Sequence, residues 1–465
     1  MICIKDFGAT QGYQPIFGRG TAGVWRKPGT DSQGDIMGNF RTFAAALLSI
    51  GTALCGQPAV AADPAASPVT IEMWWHEYGP YTAYVKQLIA AYEKLHPNVT
   101  IQPTVTSSAD INQKISVALA TGTGPDIMDN DASFYSLYYN KGVLEPLNLK
   151  SFGATSYAEF IDRYTPGGLS ASTFNGVVYA LPYQGNSMSL FINNKEFRAA
   201  GLDPTKDAPK TWADMVALGP KLKIVQGTRT VQKAFDFPYH SARWEVQDFQ
   251  PLTEQFGGKL LSDDGKTAYL NSPAAVQALT LWVQVTKAGG DPRTTMNTPS
   301  NPNQDFVDGR VAMWITGPWA TPQVEQSPIG KDFTVVSLPQ LAPAHPHTLV
   351  YGWMWGVNKA KPAAEKAAAW DFIHFMLSKP DEWLGKVGFV QPVKGVEQSE
   401  TAKNFPYFVV HMRDVSTGSW YLRSEYTNEI TQALGRAIER VVYDGADPKA
   451  SLDQAQAEAE KVLNQ

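Results

Sequence analysis

The sequence predicts an α/β protein built on a mostly parallel sheet with helices on its faces. Three observations carry that expectation. Residues 69–131 alternate between strand-like and helix-like periodicity, the pattern of a βαβαβ run. Residues 120–131 read Ala-Thr-Gly-Thr-Gly-Pro-Asp-Ile-Met-Asp-Asn-Asp, a Gly/Pro break followed by a short apolar element that ends in polar residues. About 400 residues lie beyond a leader-like N-terminal segment, more than one core usually serves, so two domains are expected.

The elements follow in order. Val69, Ile71, Met73 and Trp75 share one face of a first strand. Val85, Leu88, Ile89, Tyr92 and Leu95 recur at helical spacing over 81–96, and Pro97 closes that helix. Residues 99–105 read as a second strand. Ile111, Ile115, Ala118 and Leu119 stripe a helix that runs into the glycines. A buried strand then starts at Ile127, with Asn130 and Asp131 at its carboxyl end, where open α/β sheets bind ligands. No Gly-Lys-Ser/Thr follows the glycines, so this is not a phosphate loop.

Farther on, 144–146 and 179–182 read as short extended pieces, 190–193 as an apolar strand and 197–201 as a short helix stopped by Gly201. Thr211-Trp-Ala-Asp214 has the composition of a helix start. Residues 273–288 form a helix with Val276, Leu279, Trp282, Val283 and Thr286 on one face. Strands are expected at 311–315 and 352–357, and long amphipathic helices at 363–377 and 425–442. No repeat stands out.

The first 62 residues do not read as part of the fold. Met37-Gly-Asn-Phe-Arg41 is a weakly basic start, 44–54 is an apolar run too short to span a bilayer, and Ala59-Val60-Ala61 is a small-x-small cleavage signal. Residues 37–62 are therefore expected to be a secretory signal peptide. Residues 1–36 are read as a mis-assigned start, with a disordered N-terminal extension as the alternative. Both cysteines, Cys3 and Cys55, precede the cleavage point, so the mature chain avoids thiol chemistry, as suits an oxidising compartment. Lipidation at Cys55 is disfavoured by the large Leu54 before it.

The chain carries 39 Lys+Arg against 44 Asp+Glu. Removing residues 1–61 takes away five basic and three acidic residues and leaves a net charge of −7. A mildly acidic chain without a basic cluster argues against nucleic acid. Seven His scattered without ligand spacing, and no His-Glu-x-x-His, argue against a metal site. No cofactor is called for. Of 13 Trp, one lies upstream of Met37; most are expected in cores, and those at loops draw interest as ligand platforms.

Four separated segments resemble a known family: Gly124-Pro-Asp-Ile127; Tyr179-Ala-Leu-Pro-Tyr183 with Leu190-Phe-Ile-Asn-Asn194 and Lys210-Thr-Trp212; Phe306-x-x-Gly-Arg-Val-Ala-Met313 with Gly317-Pro-Trp319; and 363–375 after Gly352. Each is weak alone, but in this order and spacing the chain resembles an extracellular solute-binding protein of a sugar-type ABC importer (family 1), in the maltose- and glycerophosphodiester-binding branch. The resemblance implies a type II periplasmic-binding-protein fold, two α/β lobes with the ligand in the cleft between them. Carried over by position, lobe 1 comprises 63–184 and 353–395, and lobe 2 comprises 188–348 and 400–465. The crossings fall near 185–188, 350–353 and 395–405. Hinge closure around a sugar and delivery to the permease subunits, with their ATPase, would follow. The expected location is the periplasm, and the expected state a monomer.

Sugar sites need flat rings for pyranose faces and planar polar groups for hydroxyls. Where the family contacts its ligand, this chain offers Trp75, His76 and Glu77 after strand one, Asn130 and Asp131 after the 127 strand, and Tyr183 and Asn186 at the first crossing. It further offers Trp319 in Gly-Pro-Trp, Gly352 and Trp353 at the second crossing, and Trp420 and Arg423 before the last long helix. Gly352 would let backbone approach ligand. Asp126 is structural in the family; Phe389 and Trp244 are weaker aromatic candidates. Asn130 and Asp131 are expected to face Trp319 across the closed cleft.

The first loop, Trp-Trp-His-Glu, matches neither branch in full, and Gly185-Asn186 stands where the glycerophosphodiester branch has serines. A neutral mono- to trisaccharide or polyol is therefore favoured over a glycerophosphodiester. Chemosensing with the same fold is an alternative role. A secreted carbohydrate-active enzyme would need two carboxylates flanking one bond; Glu77 and Asp131 could be recruited, but nothing local marks either as an acid with a raised pKa. The expectation is a binding protein, not an enzyme.

Overall fold

The computed structural model describes residues 67–465 apart from 109, 240, 295–301 and 343–345. The expectations for residues 1–36, for the signal peptide at 37–62 and for Cys3 and Cys55 lie outside the described residues. Fifteen strands are described. In chain order they are β1 (Val69–His76), β2 (Val99–Thr106), β3 (Ile127–Asp131), the hairpin β4 (Thr173–Phe174) and β5 (Val177–Val178), β6 (Ala180–Pro182), β7 (Asn186–Ser187), β8 (Ser189–Asn193), β9 (Ile224–Gln226), β10 (Arg229–Phe235), β11 (Val311–Thr316), β12 (Phe333–Ser337), β13 (Thr348–Tyr351), β14 (Trp353–Val357) and β15 (Gly418–Trp420).

Lobe 1 is built on a five-stranded sheet in the order β2-β1-β3-β14-β6. β1 runs parallel to β2 and β3, as the βαβαβ pattern predicts. The remaining two pairings, β3 with β14 and β14 with β6, are antiparallel, so the sheet is mixed rather than mostly parallel. Helix Gly79–Leu95 starts with Pro80 in its first turn and buries Tyr81, Tyr84, Val85, Leu88, Ile89 and Tyr92 at i, i+3/i+4 spacing. Ile71, Met73 and Trp75 of β1 join the same core.

Lobe 2 holds a second mixed sheet, β12-β8-β11-β10-β9. Helix Trp212–Leu222 opens on a capping box in which Thr211 and Asp214 satisfy each other's backbone N–H. Helices Ala242–Gln255, Pro273–Gly289, Thr427–Asp444 and Pro448–Leu463 complete this lobe. One hydrophobic core gathers residues from 71–183 and 351–389, and the other from 188–349 and 421–459. The chain thus passes between cores at β7 and again at the end of β13.

A three-stranded sheet, β15-β13-β7, ties these passages together. β13 pairs antiparallel with β7 and parallel with β15. Helix Phe408–Ser416 packs against this sheet and lobe 2, while helix Glu400–Asn404 still packs on helix Pro380–Val387. The third passage therefore lies at 405–407, just beyond the expected 395–405. Among the described residues no helix is long and apolar enough to cross a membrane.

Candidate functional site

The carboxyl ends of β1 and β3 and the start of β14 meet lobe 2 along a seam. Trp353 of β14 pairs with Asp131 of β3, and Gly352 carbonyl oxygen accepts from Ala132 N–H at 3.0 Å. His76 is 5% exposed and lies between two rings, 4.0 Å from Trp353 and 4.9 Å from Tyr81 by centroid, both stacked. Its Nδ1 is 2.8 Å from Asp129 Oδ2, and its backbone N–H donates to the same oxygen at 3.2 Å. Tyr81 hydroxyl donates to Oδ2 at 3.0 Å and Tyr183 hydroxyl to Oδ1 at 2.8 Å. Burial, and then the Asp129 charge, push both phenols well above their ordinary pKa, so both remain donors. Asp129 is thus a fully buried carboxylate satisfied by four donors.

From lobe 2, Arg243 reaches across and pairs with Asp131. Burial works against the guanidinium charge, but Asp131, with Tyr351 and Tyr421, holds its pKa above the ordinary value. The guanidinium also lies 5.0 Å from the Tyr421 ring centroid and 5.7 Å from that of Tyr351. Trp319, Trp244 and Tyr351 form a triangle of rings with centroids 5.4–6.2 Å apart. A Cβ on Gly317 would lie inside the Trp319 ring, so only glycine lets that indole fold back over its own turn. Tyr78 hydroxyl donates across the seam to Trp319 carbonyl oxygen at 2.9 Å.

Beside the seam opens a cavity of about 520 Å³, lined by Thr165–Ser170 residues of lobe 1 and by Glu254, Lys259, Asp263, His347, Trp420 and Arg423 of lobe 2. Trp420 Nε1–H donates to Gly167 carbonyl oxygen at 3.0 Å, and Arg423 to that of Ser170 at 2.7 Å. Glu254 accepts from Ser419 hydroxyl at 2.7 Å and lies 2.5 Å from His347 Nε2. With Arg243–Asp131 and Tyr78–Trp319, the Trp420 and Arg423 bonds join the two lobes.

Seven of the sequence candidates fall into three groups. His76, Asp131, Trp319 and Trp353 line the seam, Trp420 and Arg423 line the side cavity, and Glu77 stands exposed at the end of β1. Trp75, Asn130, Tyr183 and Asn186 are buried, and each has a partner within the protein. Trp75 shares the core face of β1 with Ile71 and Met73, and its indole lies 3.4 Å from Thr82 hydroxyl. Asn130 Nδ2 donates to Asn112 and Tyr138, both at 3.0 Å. Tyr183 serves Asp129. Asn186 donates to Gln184 at 2.7 Å and accepts from Val390 N–H at 3.1 Å, tying the first passage to the 389–391 segment.

Gly352 is required by its surroundings: a Cβ there would lie 2.1 Å from Gln184 carbonyl oxygen and 3.1 Å from the Trp420 ring. Asp131 faces Arg243 rather than Trp319, because the ring triangle closes on Tyr351. Asp126 is structural, accepting from Glu72 N–H at 2.9 Å and lying 3.3 Å from Lys361 Nζ. Phe389 is core, and Trp244 stands beside Trp319.

Sequence reasoning missed Asp129, Arg243 and Tyr351. Strand alternation applied to Met128-Asp129-Asn130-Asp131 groups Asp129 with Asp131 and sets Asn130 apart, a signal that was available. Arg243 stands beside Trp244, in a stretch that the resemblance does not align.

Comparison with known proteins places this geometry. A Brucella abortus chain named only for binding is 23% identical over 418 residues, 87% of this chain and 95% of that one. The maltotriose-binding protein of Pyrococcus abyssi is 21% identical over 398 residues, 83% of this chain and 80% of its own. The crystal structure of an ABC transporter solute-binding protein from Thermotoga lettingae, bound with α-D-tagatose, superposes with a TM-score of 0.73 at 21% identity, covering 85% of this chain and 99% of that one. It shows the shared two-lobe fold. The family model for bacterial extracellular solute-binding proteins matches residues 87–408, well over half of the chain, and the chain belongs to that family.

Proposed function

We propose that this chain is the periplasmic sugar-binding component of an ABC importer, capturing a mono- to trisaccharide or polyol by hinge closure and presenting the closed form to the permease and its ATPase. The observation that carries the reading is the interlobe seam itself. Stackable rings (Trp319, Trp244, Tyr351, Trp353) lie among hydroxyl-binding groups (His76, Asp131, Arg243), and a side cavity adds Trp420 and Arg423. Flat rings meet pyranose faces, and planar polar groups meet hydroxyls. The maltotriose and tagatose ligands of two relatives point to the same class. The protein acts as a monomer that binds and releases its ligand without catalysis, and residues 37–62 serve as its export signal.

Isothermal calorimetry and thermal melting against a panel from hexoses to trisaccharides, with a glycerophosphodiester included, test the reading. A cognate sugar at 100-fold excess over its Kd raises stability by about 2.7 kcal/mol. A panel in which no sugar gives heat or a melting shift sinks it, and binding of the glycerophosphodiester alone transfers the site to that ligand class.

A further inference from the structure

We propose that Asp129 is a positioning residue of the binding site: it holds His76 as the Nδ1–H tautomer and thereby presents Nε2 to the cleft as a fixed hydrogen-bond acceptor. The inference rests on reading the seam as the ligand site and deepens it by naming what that site selects.

A carboxylate oxygen can only accept, so His76 Nδ1, 2.8 Å from Asp129 Oδ2, carries the proton. The other three bonds to Asp129 come from His76 N–H and the hydroxyls of Tyr81 and Tyr183. These donors saturate the carboxylate and keep it from turning. The imidazole is equally constrained. Stacking on Trp353 on one side and Tyr81 on the other leaves no room for the rotation that would exchange its nitrogens. Nε2 makes no hydrogen bond to protein among the described residues, whereas Nδ1 meets Asp129 and, at 3.5 Å, Tyr183. In neutral imidazole with the proton on Nδ1, Nε2 offers a lone pair.

The consequence is chemical discrimination. A ligand hydroxyl can donate to that lone pair, while an unprotonated carboxylate or phosphate oxygen meets it lone pair to lone pair. Asp129 thus favours a neutral polyol through His76 without touching the ligand, as outer carboxylates orient ligating histidines elsewhere. A site that binds by such fixed groups rejects analogues that leave them unpaired.

Imidazole ¹⁵N NMR of the full, ligand-free chain reads the tautomer directly, with His76→Gln identifying the resonances. The native protein should show His76 protonated at Nδ1 and unprotonated at Nε2. Asp129→Ala should release it to Nε2–H or a mixture. Asp129→Asn should retain the native pattern, because its amide oxygen can take the place of Oδ2 while its NH₂ faces Tyr183 hydroxyl. A native chain with Nε2–H, or an Asp129→Ala spectrum that does not move, overturns the proposal. The native spectrum alone can do so, even where the alanine variant does not fold.

Tyr183→Phe guards against a purely structural role, because it strips a donor from Asp129 and lowers the melting temperature yet leaves the tautomer in place. For the tightest sugar of the panel, Asp129→Ala should weaken binding by about tenfold, the value of one hydrogen bond; unchanged affinity would count against Nε2 as a ligand contact. The tautomer measurement needs no ligand, so its failure falls on Asp129, whereas an unresponsive sugar panel falls on the sugar reading.

Discussion

Arg243 and Asp131 form a largely buried charge pair between the lobes. Asp131 Oδ1 is also held by Ser133, whose N–H donates at 2.9 Å and hydroxyl at 2.6 Å, so Arg243 serves the outer oxygen. Arg243→Met should cost about 1–3 kcal/mol in chemical denaturation, the penalty of a buried carboxylate left short of a partner. Adding Asp131→Asn should recover part of that loss, and the double-mutant cycle measures the coupling directly. Trp319 offers a second test at this scale. Its indole is half-buried between the two cores, and Trp319→Ala should weaken sugar binding by at least about 1 kcal/mol if the ring stacks on the ligand. Unchanged calorimetric affinity would return Trp319 to the core.

Helix Ala242–Gln255 explains much of what the sequence hid. Its Glu245, Gln247, Asp248 and Gln250 are buried alongside Val246, Phe249 and Leu252, so polar residues interrupt the buried face and blur the apolar stripe that an amphipathic reading looks for. Gln250 shows what such a buried polar residue achieves: it donates to Trp420 carbonyl oxygen at 3.0 Å and accepts from Leu422 N–H at 2.8 Å, pinning β15. By contrast, β1 to β3 and their helices were legible because each declares its period locally. The antiparallel neighbours β14 and β6 were legible as extended pieces, but their pairing was not, since it joins distant parts of the chain. In the same way the site was half legible: residues at strand ends follow from topology, while Asp129 and Arg243 act through partners that only the fold brings near.

The same helix predicts a pH response. Burial, with Glu439 adding repulsion, raises Glu245 to about 9. The native state keeps that proton where the unfolded chain loses it, so the contribution is full below about 4.5 and is lost as pH rises toward 9. Glu245→Gln should therefore gain stability at pH 8 relative to native by up to a few kcal/mol and gain little at pH 4. His411, on the helix beneath β7, has the opposite sign. Burial lowers it to about 3, so its contribution is present above about 6.5 and is lost as pH falls toward 3. Urea midpoints of the native chain and of Glu245→Gln across pH 3–9 separate the two limbs.

At the scale of the whole molecule, the bonds between the lobes are the feature to test. Trp420 and Arg423 already hold carbonyl oxygens of the 165–170 segment, and Tyr78 holds that of Trp319. Each of these bonds joins one lobe to the other. Trp420→Phe combined with Arg423→Met should shift the ligand-free chain toward a more open shape in small-angle scattering, and saturating sugar should restore the compact one. An identical scattering profile for the native and doubly substituted chains would show that the other contacts suffice for closure.

The mixed sheet of lobe 1 has a further consequence, in time rather than in space. β14 sits between β3 and β6, and Trp353 pairs with Asp131, 222 positions earlier in the chain. A growing chain therefore leaves the edge of β3 bare until most of lobe 2 has been synthesised, and pairing across such separations is slow. A chain released at residue 350 should leave the β1–β3 amides unprotected in hydrogen exchange, and one released after residue 390 should protect them. The order of strands thus works as a clock: it keeps the polypeptide pliable through most of its synthesis, the condition under which a protein can still be threaded through a narrow channel.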